Sequence, residues 1–157
     1  MFDATNVDAH VHLRCDIAGY QFPATLNDDW CLVRVSVRQG QDHFEKVDPA
    51  LEANDLIRIR DWFRALAADR LPRYAHLGFI EPCLGFEFLA RDDAGVRFAV
   101  LLSHELRPHF QLRQLGNVSA DRIVVFHLDP ARPAAVAAAI DAAIARFPVR
   151  SDPTLRE

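Results

Sequence analysis

Residues 84–103 read Leu84-Gly85-Phe86-Glu87-Phe88-Leu89-Ala90-Arg91, then Asp92-Asp93-Ala94-Gly95, then Val96-Arg97-Phe98-Ala99-Val100-Leu101-Leu102-Ser103. Leu84, Phe86 and Phe88 fall two apart, the period that puts side chains on one face of a strand. Asp-Asp-Ala-Gly is turn chemistry, and the apolar run 96–103 returns beside 84–91. A strand that comes straight back through a tight turn pairs antiparallel.

The same pattern recurs on both sides. Residues 8–17 alternate Val11, Leu13 and Cys15 with His12, Arg14 and Asp16, and Ala18-Gly19 and Phe22-Pro23 break the strand. Residues 30–38 form a strand with one wet face, Gln39-Gly40-Gln41-Asp42 is a hairpin turn, and 43–47 return. Strand 76–80 ends at Glu81-Pro82, since proline cannot donate to a central ladder. Residues 110–117 read as loop, and 122–128 as a last strand with Ile123, Val125 and His127 on one face.

Two helices interrupt the strands. Residues 54–69 carry an apolar stripe of Leu56, Ile59, Phe63, Leu66 and Ala67, widened by Trp62. Asn54 caps this helix, Asp55 suits its positive end, and Leu71-Pro72 stops it. Asp129-Pro130 starts the second, with Val136, Ile140, Ile144 and Phe147 at helical spacing and Pro148 as the stop. The order of elements predicts an α+β fold: a mainly antiparallel sheet of about six to eight strands with two helices packed against it. At 157 residues the chain makes one domain, residues 1–150, followed by a polar tail, 151–157.

Composition narrows the function. The chain has 17 Arg, one Lys (Lys46) and 23 Ala, amino-acid usage that fits a GC-rich bacterial genome. Net charge is −4, all of it from residues 1–50, which hold eight acids and four bases. An acidic chain without a basic stripe is a poor match for nucleic acid. No apolar run is long enough to cross a bilayer and no signal peptide is visible, so the expected place is the cytoplasm. Cys15, Cys31 and Cys83 are far apart, with no C-x-x-C, which suits a reducing compartment better than a disulfide framework.

The most conspicuous chemical pattern is Val7-Asp8-Ala9-His10-Val11-His12-Leu13, which resembles the D-x-H-x-H that ends the first strand of metal-dependent amidohydrolases. On a strand, His10 and His12 would share a face and could bind one metal with Asp8 beside them. A complete barrel of that class needs about 250 residues, and a lone H-x-H on an alternating strand is more simply its polar face. His104-Glu105-Leu106-Arg107-Pro108-His109 imitates H-E-x-x-H, but its second His is one position late and Pro108 opposes a helix. No G-x-S-x-G or phosphate-binding glycine loop occurs, and no cofactor is expected. Cys83 leaves a Cys–His pair open, beside the simpler reading of a buried inert thiol.

Several phrases taken together resemble a known group. They are Asp28-Asp29-Trp30-Cys31-Leu32-Val33-Arg34-Val35, Asp55-Leu56-Ile57-Arg58-Ile59-Arg60-Asp61-Trp62-Phe63, Phe79-Ile80-Glu81-Pro82-Cys83-Leu84-Gly85-Phe86-Glu87-Phe88 and Phe147-Pro148-Val149-Arg150. The chain resembles, over residues 8–150, the WapI-type immunity proteins and their uncharacterised bacterial relatives. That resemblance implies a small cytosolic protein that binds and blocks a toxin delivered by contact. It carries over no functional residues, because the shared positions are mainly aromatic and aliphatic. The expectation is a non-catalytic protein-binding domain, with Asp28, Asp29 and Glu81 as candidate partner-binding residues. The alternatives are a metal-dependent hydrolase using Asp8, His10 and His12, and a structural or oligomeric accessory domain, in which an exposed sheet edge could form a dimer.

Overall fold

The computed structural model describes residues 1–6, 10–113 and 123–151. Eight antiparallel strands and two helices form the expected α+β fold, with the strands divided between two four-stranded sheets instead of one. The first sheet is β1 (Phe2–Asn6), β2 (Val11–Tyr20), β3 (Trp30–Gln39) and β4 (Asp42–Glu52), side by side in that order. Helix α1 (Ala53–Ala67) follows without a break. The second sheet is β5 (His76–Leu77), β6 (Leu84–Asp92), β7 (Gly95–Leu102) and β8 (Ile123–Leu128), again in order, and α2 (Arg132–Arg146) follows. Each half of the chain is therefore a meander capped by a helix.

The β6–β7 hairpin forms as its sequence demands. Asp92 Oδ1 accepts from the Ala94 and Gly95 amides at 2.9 and 3.0 Å. Gly95 has φ +143°, and a Cβ there would lie 1.9 Å from the Leu128 carbonyl oxygen, so β8 can pass only beside a glycine.

Several boundaries differ from the sequence reading. The strand expected over 8–17 begins at Val11 and continues to Tyr20, because a bulge between Ile17 and Gly19 absorbs the break. Pro49 lies within β4, which it tolerates as an edge strand. The strand over 76–80 is only two residues long. In β8 the buried side is Val124, Phe126 and Leu128, so Ile123, Val125 and His127 form the wetter face. The cap of α1 is Glu52, with its amide donating to Asp55 Oδ2 at 3.0 Å, and Asn54 lies inside the first turn. Asp129 caps the approach to α2 by accepting from the amides of Ala131 and Arg132, and the helix starts two residues after Pro130. Ala67 is exposed beyond the apolar stripe of α1.

Six aromatic rings knit the parts together. Phe2 of β1 lies 6.4 Å from Phe63 of α1, 5.9 Å from Phe98 of β7 and 5.2 Å from Phe126 of β8, centroid to centroid. Phe63 in turn meets Trp62, Phe86 and Phe98 at 5.1, 5.9 and 5.5 Å, mostly edge to face, the favoured geometry. Two buried amides stitch the margins. Asn6 donates to the Val125 carbonyl, and Gln39 exchanges hydrogen bonds with the Arg113 backbone. Helix α2 lies along α1, with Arg64 pairing Asp141 at 2.8 Å.

The two turn glycines give a test. Gly40 also has positive φ, but nothing lies within 4 Å of a Cβ there. Gly95→Ala is expected to lower the unfolding free energy by about 2–4 kcal/mol and Gly40→Ala by only about 1 kcal/mol. Urea titration of both variants checks this, and equal losses would contradict the close approach of β8.

Candidate functional site

The loop between β2 and β3 carries the Asp28-Asp29 pair, and the fold brings residues 147–151 to it. Asp29 is 4% exposed. Its carboxylate accepts from the Arg150 amide at 2.6 Å, from the Ser151 amide at 3.2–3.3 Å and from the Ser151 hydroxyl. The Asp29 carbonyl accepts from the Ala53 amide at 2.9 Å, which ties the loop to the start of α1. Arg150 completes the clasp. Its guanidinium donates to the carbonyls of Phe22 (3.3 Å), Pro23 (3.2 Å) and Asp28, and lies 3.6 Å from the Tyr20 ring centroid. Among the described residues its Nε is buried without an acceptor, and stacking on the Tyr20 face offsets part of that cost. The Tyr20 hydroxyl donates to the Pro148 carbonyl, and its ring meets Phe147 edge to face at 5.6 Å. Burial pushes the Tyr20 phenol above its ordinary value, against the pull of the Arg150 cation.

Asp29, expected at a partner surface, is thus spent inside the molecule. Asp28 keeps part of its carboxylate in solvent, with Oδ1 accepting from the Trp30 amide at 3.0 Å. Glu81 is exposed between β5 and β6 and makes no hydrogen bond or ion pair among the described residues. Asp28 and Glu81 sit on separate connections, and among the described residues no hydrogen bond joins them.

The histidines of the metal-like phrase part company. His10 is exposed, at φ +51°, in the turn before β2, so the same-face relation of strand residues two apart does not extend to it. His12 lies on β2, with Nε2 2.8 Å from Asp3 Oδ1. Asp8 falls outside the described residues. Among the described residues no three His, Cys, Asp or Glu side chains stand close enough to hold a metal ion. His104 and Glu105 form a single 3-10 turn, where Glu105 accepts a hydrogen bond from the Cys83 thiol at 3.3 Å. Burial and that carboxylate push the Cys83 thiol up to about 11. Burial pushes Cys15 and Cys31 up to about 12. All three thiols are thus held in the protonated form near neutral pH, the opposite of the lowered pKa that marks an activated cysteine.

A groove that no motif announced runs between α2 and the outward side of β2 and β3. Two adjoining cavities of about 310 and 430 Å³ form it, lined by Arg14, Asp16, Arg34, Arg132 and Arg146 and by alanines of α2. Its sequence signal is dispersed: Arg14 and Arg34 are alternate residues on two strands, while Arg132 and Arg146 lie at opposite ends of a helix.

The sequence model of the immunity protein WapI-like family matches residues 5–148. The chain belongs to that family. No curated protein and no solved structure matches it. The WapI-like match runs from the end of β1 through α2, and so covers strands of both sheets and both helices. Two of the shared phrases, Asp28-Asp29-Trp30 and Phe147-Pro148-Val149-Arg150, prove to be the two halves of the clasp. Among the described residues no helix is long and apolar enough to cross a membrane.

Two outcomes test this chemistry. Asp29→Ala orphans the amides of Arg150 and Ser151 and is expected to cost about 1–3 kcal/mol. Combined with deletion of residues 149–157, the loss should be far smaller than the sum of the two, as denaturant melts of a double cycle would show. Second, the cysteine thiols are raised in the fold above their ordinary 9.0. Their contribution to stability is therefore complete below about pH 9 and is lost as pH rises through 11 to 12. At about pH 8, native protein should react with a disulfide reagent on the order of 100-fold more slowly than protein unfolded in urea.

Proposed function

We propose that the protein protects its own bacterial cell by binding a toxin in the cytoplasm and covering the toxin's working surface, without chemistry of its own. The observation that carries this reading is membership of the WapI-like immunity protein family over nearly the whole chain. Steric blocking asks for a rigid, correctly folded surface and no activated side chain. The three protonated thiols and the clasped loop are consistent with that demand. Asp28 and Glu81 are the accessible acids we assign to the contact with the toxin, while Asp29 supports the loop that presents Asp28.

Co-expression is the direct test. The protein is produced together with the toxic products encoded beside its gene, and cell growth and co-purification are scored. The expected result is rescue by one such product's partnership, with a stoichiometric complex, and weaker protection for Asp28→Arg combined with Glu81→Arg. Absence of both rescue and complex formation with every neighbouring product would end the reading.

A further inference from the structure

We propose that the groove between α2 and the outward side of β2 and β3 binds an extended acidic segment of a protein partner. The two cavities share Met1, Arg14, Asp16 and Ala139, so they form one trough. Along α2 it is lined by Arg132, Ala135, Ala139, Ala142, Ala143 and Arg146, a stripe at three- and four-residue spacing that runs the length of the helix. A helix of 15 residues is about 22 Å long, which is the span of six or seven residues of extended chain. Alanine methyls give this wall low relief, so a peptide backbone can lie close against it.

The charges decide the occupant. Four arginines and two aspartates, Asp3 and Asp16, line the trough. Both carboxylates are already engaged: Asp16 by the Met1 ammonium at 2.7 Å and by Arg14 at 2.5 Å, and Asp3 by His12 at 2.8 Å. Arg132 donates to the Asp3 carbonyl at 3.0 Å and takes no carboxylate. Arg34 and Arg146 are exposed, line the same cavity and form no ion pair among the described residues. The α2 dipole stabilises Arg146 in its last turn, but it gives no reason for Arg34 to stand on the opposite wall. A surplus of guanidinium forks in a chain of net charge −4 is complementary to carboxylates, which such forks grip in bidentate fashion. Nucleic acid fits less well. Of the two aromatics in the lining, Phe2 is buried and only Phe147 offers a ring edge for a base, and the resident aspartates interrupt a phosphate track. For the partner's identity this inference rests on the toxin-binding reading, whereas the chemistry of the groove is tested without any toxin.

The probe is a fluorescein-labelled hexaglutamate peptide, followed by fluorescence anisotropy at low salt on the full chain. Wild type should bind it, added salt should weaken binding, and Arg34→Glu with Arg146→Glu should weaken it at least about tenfold, while Arg70→Glu, at an exposed arginine outside the groove lining, leaves it nearly unchanged. Both arginines are exposed, so the double variant should keep the wild-type circular dichroism spectrum. If it does not, Arg34→Ala with Arg146→Ala takes its place, with the same direction of effect. No binding to wild type, or equal binding to the double variant, overturns the proposal. So does a single-stranded oligonucleotide that binds through the same arginines where hexaglutamate does not. Protection that survives the double variant rejects the groove as the toxin's site and leaves the immunity reading standing. Absence of protection by wild type removes that reading, and the peptide measurement still judges the groove.

Discussion

Neither sheet encloses a core by itself. A four-stranded meander has one apolar face, and α1 offers a single stripe, so each must borrow cover from the others. The rings of Phe2, Trp62, Phe63, Phe86, Phe98 and Phe126 are where that borrowing happens, since they come from α1 and from both sheets and touch one another in a continuous network. Phe63 and Phe98 are almost fully buried within it. Burial of such side chains contributes roughly 1.5–3 kcal/mol each, enough in combination to outweigh the ordering of short strands such as β1. Everything else, including the clasp and the α2 groove, is laid on a frame that these contacts hold together.

What was readable before the structure was the local alternation. The β6–β7 hairpin, β3 and the two helices followed from spacing and turn residues, because each depends on neighbours within a few positions. Strand β1 escaped because its inward set is Phe2, Ala4 and Asn6, which offers only one large apolar residue. The phase of β8 was taken from Ile123 and Val125, although Phe126 is the residue that meets the aromatic network. Division into two sheets leaves no local mark either, since every strand alternates in the same way whichever sheet it joins. The acids show the same limit. Asp29 looked like a surface charge because the groups that occupy it are more than a hundred residues away.

The phrases that gave the family away are therefore informative about architecture before function. Asp28-Asp29-Trp30 and the Phe-Pro-x-Arg near the other end hold a loop in one shape, and the Trp62 indole donates to the Tyr74 carbonyl at 3.0 Å, anchoring the segment that leads to β5. Under the proposed reading, contact with a partner falls to side chains without such a duty, among them Glu81, Arg34 and Arg146, which are exposed and form no ion pair among the described residues. The α2 groove sets Arg14 and Arg34, from the acidic N-terminal third, beside Arg132 and Arg146 of α2, so charge counted along the chain and charge presented in space differ there.

The clasp also has a consequence for chain closure. Asp29 and Arg150 are 121 positions apart. The Asp29 carboxylate lacks the amides it is built to receive until a segment more than a hundred residues later reaches it, so the loop before β3 cannot take its final shape from its own neighbourhood. When the two meet, residues 29–150 become one closed ring held by backbone amides on a single buried carboxylate.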